Sequence, residues 1–315
     1  MEKRVLVITG PTATGKSALG VALALRLGGE VISADSMQIY RGMDIGTAKV
    51  TAAEMCGVPH HLLDVAEASE DWSVARWVDA AASAAEDIFS RGRVPILVGG
   101  TGLYIDSLLS GRDFADNAGD GALRAALSAE YDRIGGAAFR ERLRAVDPAR
   151  AEKLHPSDKK RLVRAMEVYR LTGETISAHD ARTQAAPPRW DSLRVALTYA
   201  DRAALYARID ARVEEMAAAG LFEEVAGLLA AGLPPESTAM QAIGYKEAAD
   251  AILGRCTRAQ AVAAIQRASR RYAKRQLTWL RRDAGLHWIA WNGAPDIGAA
   301  ADAVAEMWSA GAPSP

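Results

Sequence analysis

The chain has 315 residues, a formal net charge of −1, half its residues hydrophobic and 24% charged. That composition suits one large or two ordinary globular domains and excludes a globally basic nucleic-acid binder, so any RNA- or DNA-facing surface must be local. Two cysteines far apart, Cys56 and Cys256, exclude a disulfide framework or a cysteine-metal cluster and are expected to be small buried hydrophobes in a reduced, cytoplasmic compartment. No run of about 18 apolar residues occurs and the start passes directly into a strand, so neither a membrane span nor a signal peptide is expected.

Residues 4–9 are nearly all apolar, the pattern of a parallel strand buried on both faces. Gly10-Pro11-Thr12-Ala13-Thr14-Gly15-Lys16-Ser17 follows and leads into a helix that stops near Gly28-Gly29. This is G-x-x-x-x-G-K-[ST] between strand and helix, the setting of a phosphate-binding loop. Its backbone amides and the helix start would face an anion, Lys16 would add a point charge, and the Ser17 hydroxyl could hold Mg²⁺. Strands are expected at 31–34, 61–65 and 94–98, with an amphipathic helix over 73–90 carrying Val74, Trp77, Val78, Ala81, Ala85 and Ile88 on one stripe. The last of these strands closes on Gly99-Gly100-Thr101-Gly102 and another helix start. Alternating strands and helices imply a doubly wound parallel sheet whose ligands sit at the strand C-terminal ends, where Gly10–Ser17, Asp35–Gln38 and Gly99–Gly102 would converge.

The character changes near Arg112. A polar stretch precedes helical patterns over 122–183, Pro187-Pro188 marks a boundary, and 193–198 reads as a returning strand. The expected organisation is α/β: a P-loop doubly wound parallel sheet core at 1–112 and 190–315, with a helical insertion domain at 113–189. Helices are expected at 203–219, 222–231, 241–253 and 258–283, a last strand at 286–291, then one Ala-rich helix and a frayed end at Pro313-Ser314-Pro315. Trp72, Trp77, Trp288 and Trp291 are expected in the core.

Asp35 stands at the tip of the second strand, beside the loop, where a carboxylate could ligate Mg²⁺, act as a general base, or merely cap a turn. The Thr101 hydroxyl could meet a substrate or cap a helix. Arg208 and Arg212, four apart on one helix face, read as an anion clamp or as a solvated face shared with Glu214 and Glu215. Two basic tracts point to a partner. Lys159-Lys160-Arg161 with Arg164 opens a helix inside the insertion. From Arg255 to Arg282 lysine and arginine recur without any Asp or Glu, with Arg267, Arg270, Arg271, Lys274 and Arg275 at helical spacing and Tyr272 and Trp279 interleaved. A one-signed stripe with aromatics in a neutral chain fits phosphate-backbone contacts and stacking.

These residues alone leave open a small-molecule kinase, with the basic helix as a lid, an NTP-driven motor, and a transferase that holds a diphosphate leaving group. A motor needs an acidic strand end, and the strand at 94–98 runs instead into Gly99-Gly100. The longer motifs go further. The phosphate loop, residues 32–49 (Ile-Ser-Ala-Asp-Ser-Met-Gln-Ile-Tyr-Arg-Gly-Met-Asp-Ile-Gly-Thr-Ala-Lys), Val98-Gly99-Gly100-Thr101-Gly102-Leu103-Tyr104, His155-Pro156-Ser157-Asp158 with Arg161 and Arg164, Ala242-Ile243-Gly244-Tyr245-Lys246-Glu247 and Lys274-Arg275-Gln276-Leu277-Thr278-Trp279 together resemble the bacterial tRNA dimethylallyltransferase family. The resemblance runs from Val5 to about Trp291. The zinc finger of eukaryotic relatives has no counterpart in two isolated cysteines.

The resemblance implies transfer of a dimethylallyl group from its diphosphate to N6 of the adenosine at position 37, beside the anticodon, in tRNAs reading UNN codons. It implies that Gly10, Pro11, Thr12, Ala13, Thr14, Gly15, Lys16 and Ser17, with Arg208 and Arg212, hold the diphosphate together with Mg²⁺. Asp35 would take the N6 proton, assisted by Thr101, while Asp35, Ser36, Met37 and Gln38 meet the flipped adenine. Arg124, Lys159, Lys160, Arg161, Leu162, Val163 and Arg164 in the insertion, with Lys274 and Arg275, would hold the anticodon stem-loop. The protein is expected to act as a monomer.

Overall fold

The apolar run after Arg4 forms β1 (Arg4–Thr9), one of the two central strands of the sheet, with both its faces buried. The computed structural model describes residues 3–111, 121–185 and 187–311; of the polar stretch expected over 113–121 all but the last residue lies outside them, as does the chain end from 312. After β1 come α1 (Lys16–Leu27), β2 (Gly29–Ser33), α2 (Ala52–Met55), β3 (His60–His61), α3 (Val74–Ser90), β4 (Val94–Val98) and α4 (Gly102–Leu109). Five helices follow: α5 (Gly121–Ile134), α6 (Gly136–Val146), α7 (Pro148–Lys153), α8 (Lys159–Thr172) and α9 (Ile176–Ala185). The chain then returns as β5 (Asp191–Tyr199), α10 (Arg202–Ala218), α11 (Leu221–Ala230), α12 (Tyr245–Ile252), α13 (Arg258–Leu280), β6 (His287–Trp291) and α14 (Ile297–Ala310).

The six strands are ordered β3-β2-β4-β1-β5-β6 and every pairing is parallel. Leu6 and Ile8 face α1 and α14 in one core with Leu19, Leu23, Ala301 and Val304. Trp77 of α3 is fully buried, stacks on Tyr104 of α4 at 4.6 Å and donates to the Ser33 carbonyl at 3.2 Å. β1 lies between β4 and β5, so consecutive crossovers diverge at its C-terminal end and open the crevice in which the phosphate loop sits.

The chain divides into two compact units, residues 1–108 with 190–315, and residues 109–189. The helical unit has its own core, in which Phe139, Leu143, Ala151 and Leu162 are fully buried. Asp147 caps α7 through Arg150 N–H at 3.0 Å and also accepts from Ser177 N–H at 3.1 Å, fixing α7 to α9.

Several expectations need correction. β3 stops at His61 because Leu62 and Asp64 adopt positive φ of 61° and 53°, which a strand cannot continue through. The helix expected at 241–253 breaks at Gly244, with φ of 101°, into a 3₁₀ turn (Ala239–Gln241) and α12. Trp77 and Trp291 are core, but Trp288 is 39% exposed on the edge strand and Trp72 is half-buried beneath Arg76. Cys56 is exposed at the end of α2 and Cys256 half-buried, so neither is a core hydrophobe.

The long loop after β2 is fastened by a carboxylate. Glu224 of α11 accepts from the N–H groups of Asp44, Ile45 and Gly46 at 2.9, 2.8 and 3.1 Å and from the Tyr245 hydroxyl at 2.5 Å. A Cβ at Gly46 would lie 2.4 Å from the Tyr245 ring, so only glycine fits. Glu224→Ala is expected to cost roughly 2–4 kcal/mol in urea unfolding, because bonds to a charged acceptor are each worth about 1.5–3 kcal/mol and do not add fully. A loss below about 0.5 kcal/mol would mean that the loop is held elsewhere, as by Lys49, which reaches Tyr40 O, Asp44 and Asp64.

Candidate active site

The phosphate loop is held from behind. A Cβ at Gly10 would fall 2.4 Å from the Leu197 carbonyl, and its φ of 142° is one that L side chains rarely adopt. Pro11 has no N–H, and the Thr12 N–H donates to the Gln276 side chain at 3.1 Å. Thr14 Oγ1 donates to Pro11 O at 2.9 Å, and the Trp291 indole donates to Thr14 O at 3.0 Å. Gly15, with φ of 87°, caps α1 without any side-chain acceptor, which leaves the first-turn amides to an external anion.

Lys16 Nζ donates to Pro11 O at 2.7 Å. Burial pushes its pKa down to about 8, with the Arg212 cation adding to the fall and Asp35 opposing it. Arg212 is also lowered, first by burial and then by Arg208, while Glu215, Glu54 and Asp35 offset part of the shift. Arg208 and Arg212 of α10 differ. Arg208 donates to Glu215 at 2.8 Å in solvent, whereas Arg212 forms no ion pair among the described residues. Two cations held without a carboxylate bonded to either make a site that wants an anion.

Opposite them stands an acceptor side built from the ends of β2 and β4. Asp35 Oδ1 accepts from Met37 N–H at 2.9 Å, so the carboxylate does serve its local turn with one oxygen. Ser36 N–H donates to Thr101 Oγ1 at 3.3 Å, and Thr101 N–H donates to Ala34 O at 3.2 Å. Gly99 permits this closeness, since a Cβ there would lie 2.2 Å from Ala34 O. It is the carbonyl of Thr101 that accepts from the first turn of α4. The Tyr272 hydroxyl meets the Thr101 and Gln276 side chains; burial first, and then the charge of Asp35, push its pKa up to about 12, so it stays a neutral phenol. Gln38 is fixed at both ends of its amide, accepting from Ser33 Oγ at 3.1 Å and donating to Thr47 O at 3.2 Å. The structure therefore brings the loop, Asp35, Ser36, Met37, Gln38 and Thr101 together with Arg212.

The basic tracts prove partly internal. On α13, Arg258 pairs with Glu223 and Arg270 with Asp210, so this stripe is less one-signed in space than in sequence. Lys274 and Arg275 remain exposed, Arg275 lying over the Tyr272 ring at 5.4 Å. In the helical unit Lys160 and Arg161 are exposed, Lys159 bonds Asp132 at 2.7 Å and Arg161 bonds Asp158 at 3.1 Å. Arg164 and Arg124 bond the fully buried Glu167 at 2.8 and 3.1 Å. Leu162 and Val163 are core residues of that unit, so their side chains do not reach an RNA surface.

The family model for IPP transferase matches residues 38–283, and that for isopentenyl transferase matches residues 3–71. The chain belongs to the IPP transferase family. It is 50% identical over 296 residues to the tRNA dimethylallyltransferase of Symbiobacterium thermophilum, covering 93% of this chain and 91% of that one. The fold is similar to the tRNA isopentenylpyrophosphate transferase of Bacillus halodurans, with a TM-score of 0.73, 40% identity and 98% of each chain covered. A eukaryotic dimethylallyltransferase solved acting on tRNA gives a TM-score of 0.84 at 28% identity, over 99% of this chain and 81% of that one. Membership in the IPP transferase family makes the chain a tRNA-modifying prenyltransferase and sets aside the kinase alternative.

Within that family assignment, three site-forming side chains lie beyond what sequence reasoning reaches. Tyr272 reads only as an aromatic in a basic helix, Gln276 only as one residue of the Lys274–Trp279 motif with no role attached, and Glu224 carries no signal of its own. What Gln276 meets is hinted at by Gly100, where a Cβ would stand 2.1 Å from its Nε2.

Proposed function

We propose that the protein transfers the dimethylallyl group of dimethylallyl diphosphate to N6 of the adenosine at position 37 in tRNAs reading UNN codons, in the cytoplasm. One arrangement carries this reading: the phosphate loop, Asp35 and Thr101 follow the C-terminal ends of β1, β2 and β4, adjacent parallel strands, with Ser36 N–H bonded to Thr101, and the Asp35 charge reaches Lys16 and Arg212. N6 attacks C1 of the dimethylallyl group, the C1–O bond breaks, diphosphate leaves, and the N6 proton passes to the Asp35 carboxylate. Lys16, the α1 amides and Arg212 take the charge that develops on diphosphate, with Arg208 secondary. Thr101, already fixed by Ser36 and Tyr272, orients the amine.

Mg²⁺ fits the donor set. The Ser17 hydroxyl is exposed and bonds no described residue, and no cluster of three or more His, Cys, Asp or Glu occurs among them. A single protein hydroxyl completed by phosphate oxygens and water is how Mg²⁺ is usually held. Its charge would add to that of Lys16 on the leaving group.

The deciding assay mixes purified protein, radiolabelled dimethylallyl diphosphate and an anticodon stem-loop, with ATP and small acceptors in parallel. Label on the RNA is expected; label-free RNA would overturn the proposal.

The helical unit offers Lys160 and Arg161 to the anticodon stem, and the other unit offers Lys274 and Arg275 to the RNA in its own right. Reversing Lys160 and Arg161 to Glu should weaken stem-loop binding and flatten its dependence on salt, by roughly one unit of slope per lost phosphate contact. Arg164 and Arg124 are left intact in that variant, because reversal would unpair the buried Glu167 and confound binding with folding. Unchanged affinity and slope would place the RNA on another surface.

A further inference from the structure

One side chain of α13 touches both halves of the site. Gln276 is 7% exposed; its Oε1 accepts from Thr12 N–H at 3.1 Å and its Nε2 donates to Gly100 O at 3.0 Å. Thr12 belongs to the phosphate loop, and Gly100 immediately precedes Thr101. Because one partner is an N–H and the other a carbonyl, the orientation of the amide is set. Glycine at 100 is the residue that lets the Gln276 amide come this close. Elsewhere α13 packs Ala273 against Ala13 of the phosphate loop without a hydrogen bond, and two of its side chains bond the acceptor side. Tyr272 meets Thr101, and the Trp279 indole packs where a Gly102 Cβ would stand, 2.4 Å away, while donating to Asp106 at 2.7 Å. These neighbours hold the acceptor side alone, whereas Gln276 bonds both loops.

Resting on the transfer reading above, we infer that Gln276 is a positioning residue that sets the separation between the diphosphate held by the phosphate loop and the amine held by Asp35 and Thr101. Group transfer needs reacting atoms about 3–3.5 Å apart, and a misplacement of about 1 Å costs on the order of 10² in rate. A bridge that fixes the two loops relative to each other therefore acts on the rate of transfer more than on the binding of either substrate.

Gln276→Met keeps length and apolar packing and removes the hydrogen bonds to both loops, together with the contact to the Tyr272 hydroxyl, which keeps Thr101. Gln276→Glu keeps an acceptor for Thr12 N–H and sets a carboxylate oxygen against Gly100 O. In Gln276→Met, kcat is expected to fall on the order of 10²-fold, with the KM of each substrate within about threefold of wild type and the melting temperature nearly unchanged. Gln276→Glu is expected to lose activity at neutral pH and to recover, relative to wild type at the same pH, as acid protonates the new carboxyl and restores a donor to Gly100 O. Wild-type kcat in both variants, or a loss confined to KM, would overturn the inference; should Gln276→Met fail to fold, Gln276→Glu carries the test.

A measurement without turnover separates this inference from the transfer reading itself. With inorganic diphosphate and Mg²⁺, hydrogen exchange in wild type is expected to slow both in residues 12–19 and in residues 99–104. In Gln276→Met it should slow only in 12–19. Equal protection of 99–104 in both proteins would refute the link even if the transferase assay succeeds, and loss of that protection would support it even if the assay fails.

Discussion

Replacing Asp35 with Asn is expected to lower turnover by roughly 10²–10⁴-fold, the span ordinarily supplied by a positioned general base. Asparagine is the informative choice because its side-chain oxygen can still accept from Met37 N–H, the bond that Asp35 Oδ1 makes at 2.9 Å. The turn, and with it the Ser36 bond to Thr101, survives. What disappears is the negative charge and the basic oxygen, and an uncharged exocyclic amine without a proton acceptor is a poor nucleophile. Stem-loop affinity should stay within a few-fold of wild type. Single-turnover rates with both substrates saturating measure the chemical step directly. A rate within threefold of wild type would move the base elsewhere, and Tyr272, whose pKa is pushed up to about 12, is a poor replacement at neutral pH.

How far the sequence discloses such a site depends on how local each device is. The phosphate loop is legible because its physics lies in consecutive residues: an apolar strand, glycines where the backbone must turn, and a lysine and serine at the helix start. The glycines at 99, 100 and 102 are legible as close approaches, but the sequence does not say what approaches. The structure answers with Ala34 O, the Gln276 amide and the Trp279 ring. The α13 stripe misleads in part for the same reason. Counting charge along one helix cannot reveal that Asp210 and Glu223, on α10 and α11, already neutralise Arg270 and Arg258. Leu162 and Val163 adjoin basic neighbours in sequence, yet helical periodicity turns them inward. Glu224 shows the limit most clearly, since a glutamate on an ordinary amphipathic helix has no pattern announcing that it holds three amides of a loop far away in sequence.

Lys16→Met is expected to cost about 10²–10³ in kcat, or about 2.7–4 kcal/mol of transition-state stabilisation, the usual effect of losing one preorganised donor at a developing anion. The sharper form of this prediction is its pH dependence. In the free protein the Lys16 pKa is pushed down to about 8 by burial and by Arg212. Below pH 8 the ammonium is present and donor KM should be flat. Above it the free protein holds neutral amine, so KM should rise by about tenfold per unit of pH. The bound diphosphate favours the charged form and raises the pKa in the complex, so kcat should stay constant across the same window. Binding at pH 8–9 must therefore take up a proton, which calorimetry in buffers of different ionisation enthalpy reads as a buffer-dependent heat. Lys16→Arg supplies the control: guanidinium stays charged far above pH 9, so the rise in KM should vanish even though the changed geometry lowers kcat. A donor KM that climbs above pH 8 in Lys16→Arg as steeply as in wild type would assign the titration to another group, and would remove Lys16 as the cation that donor binding depends on.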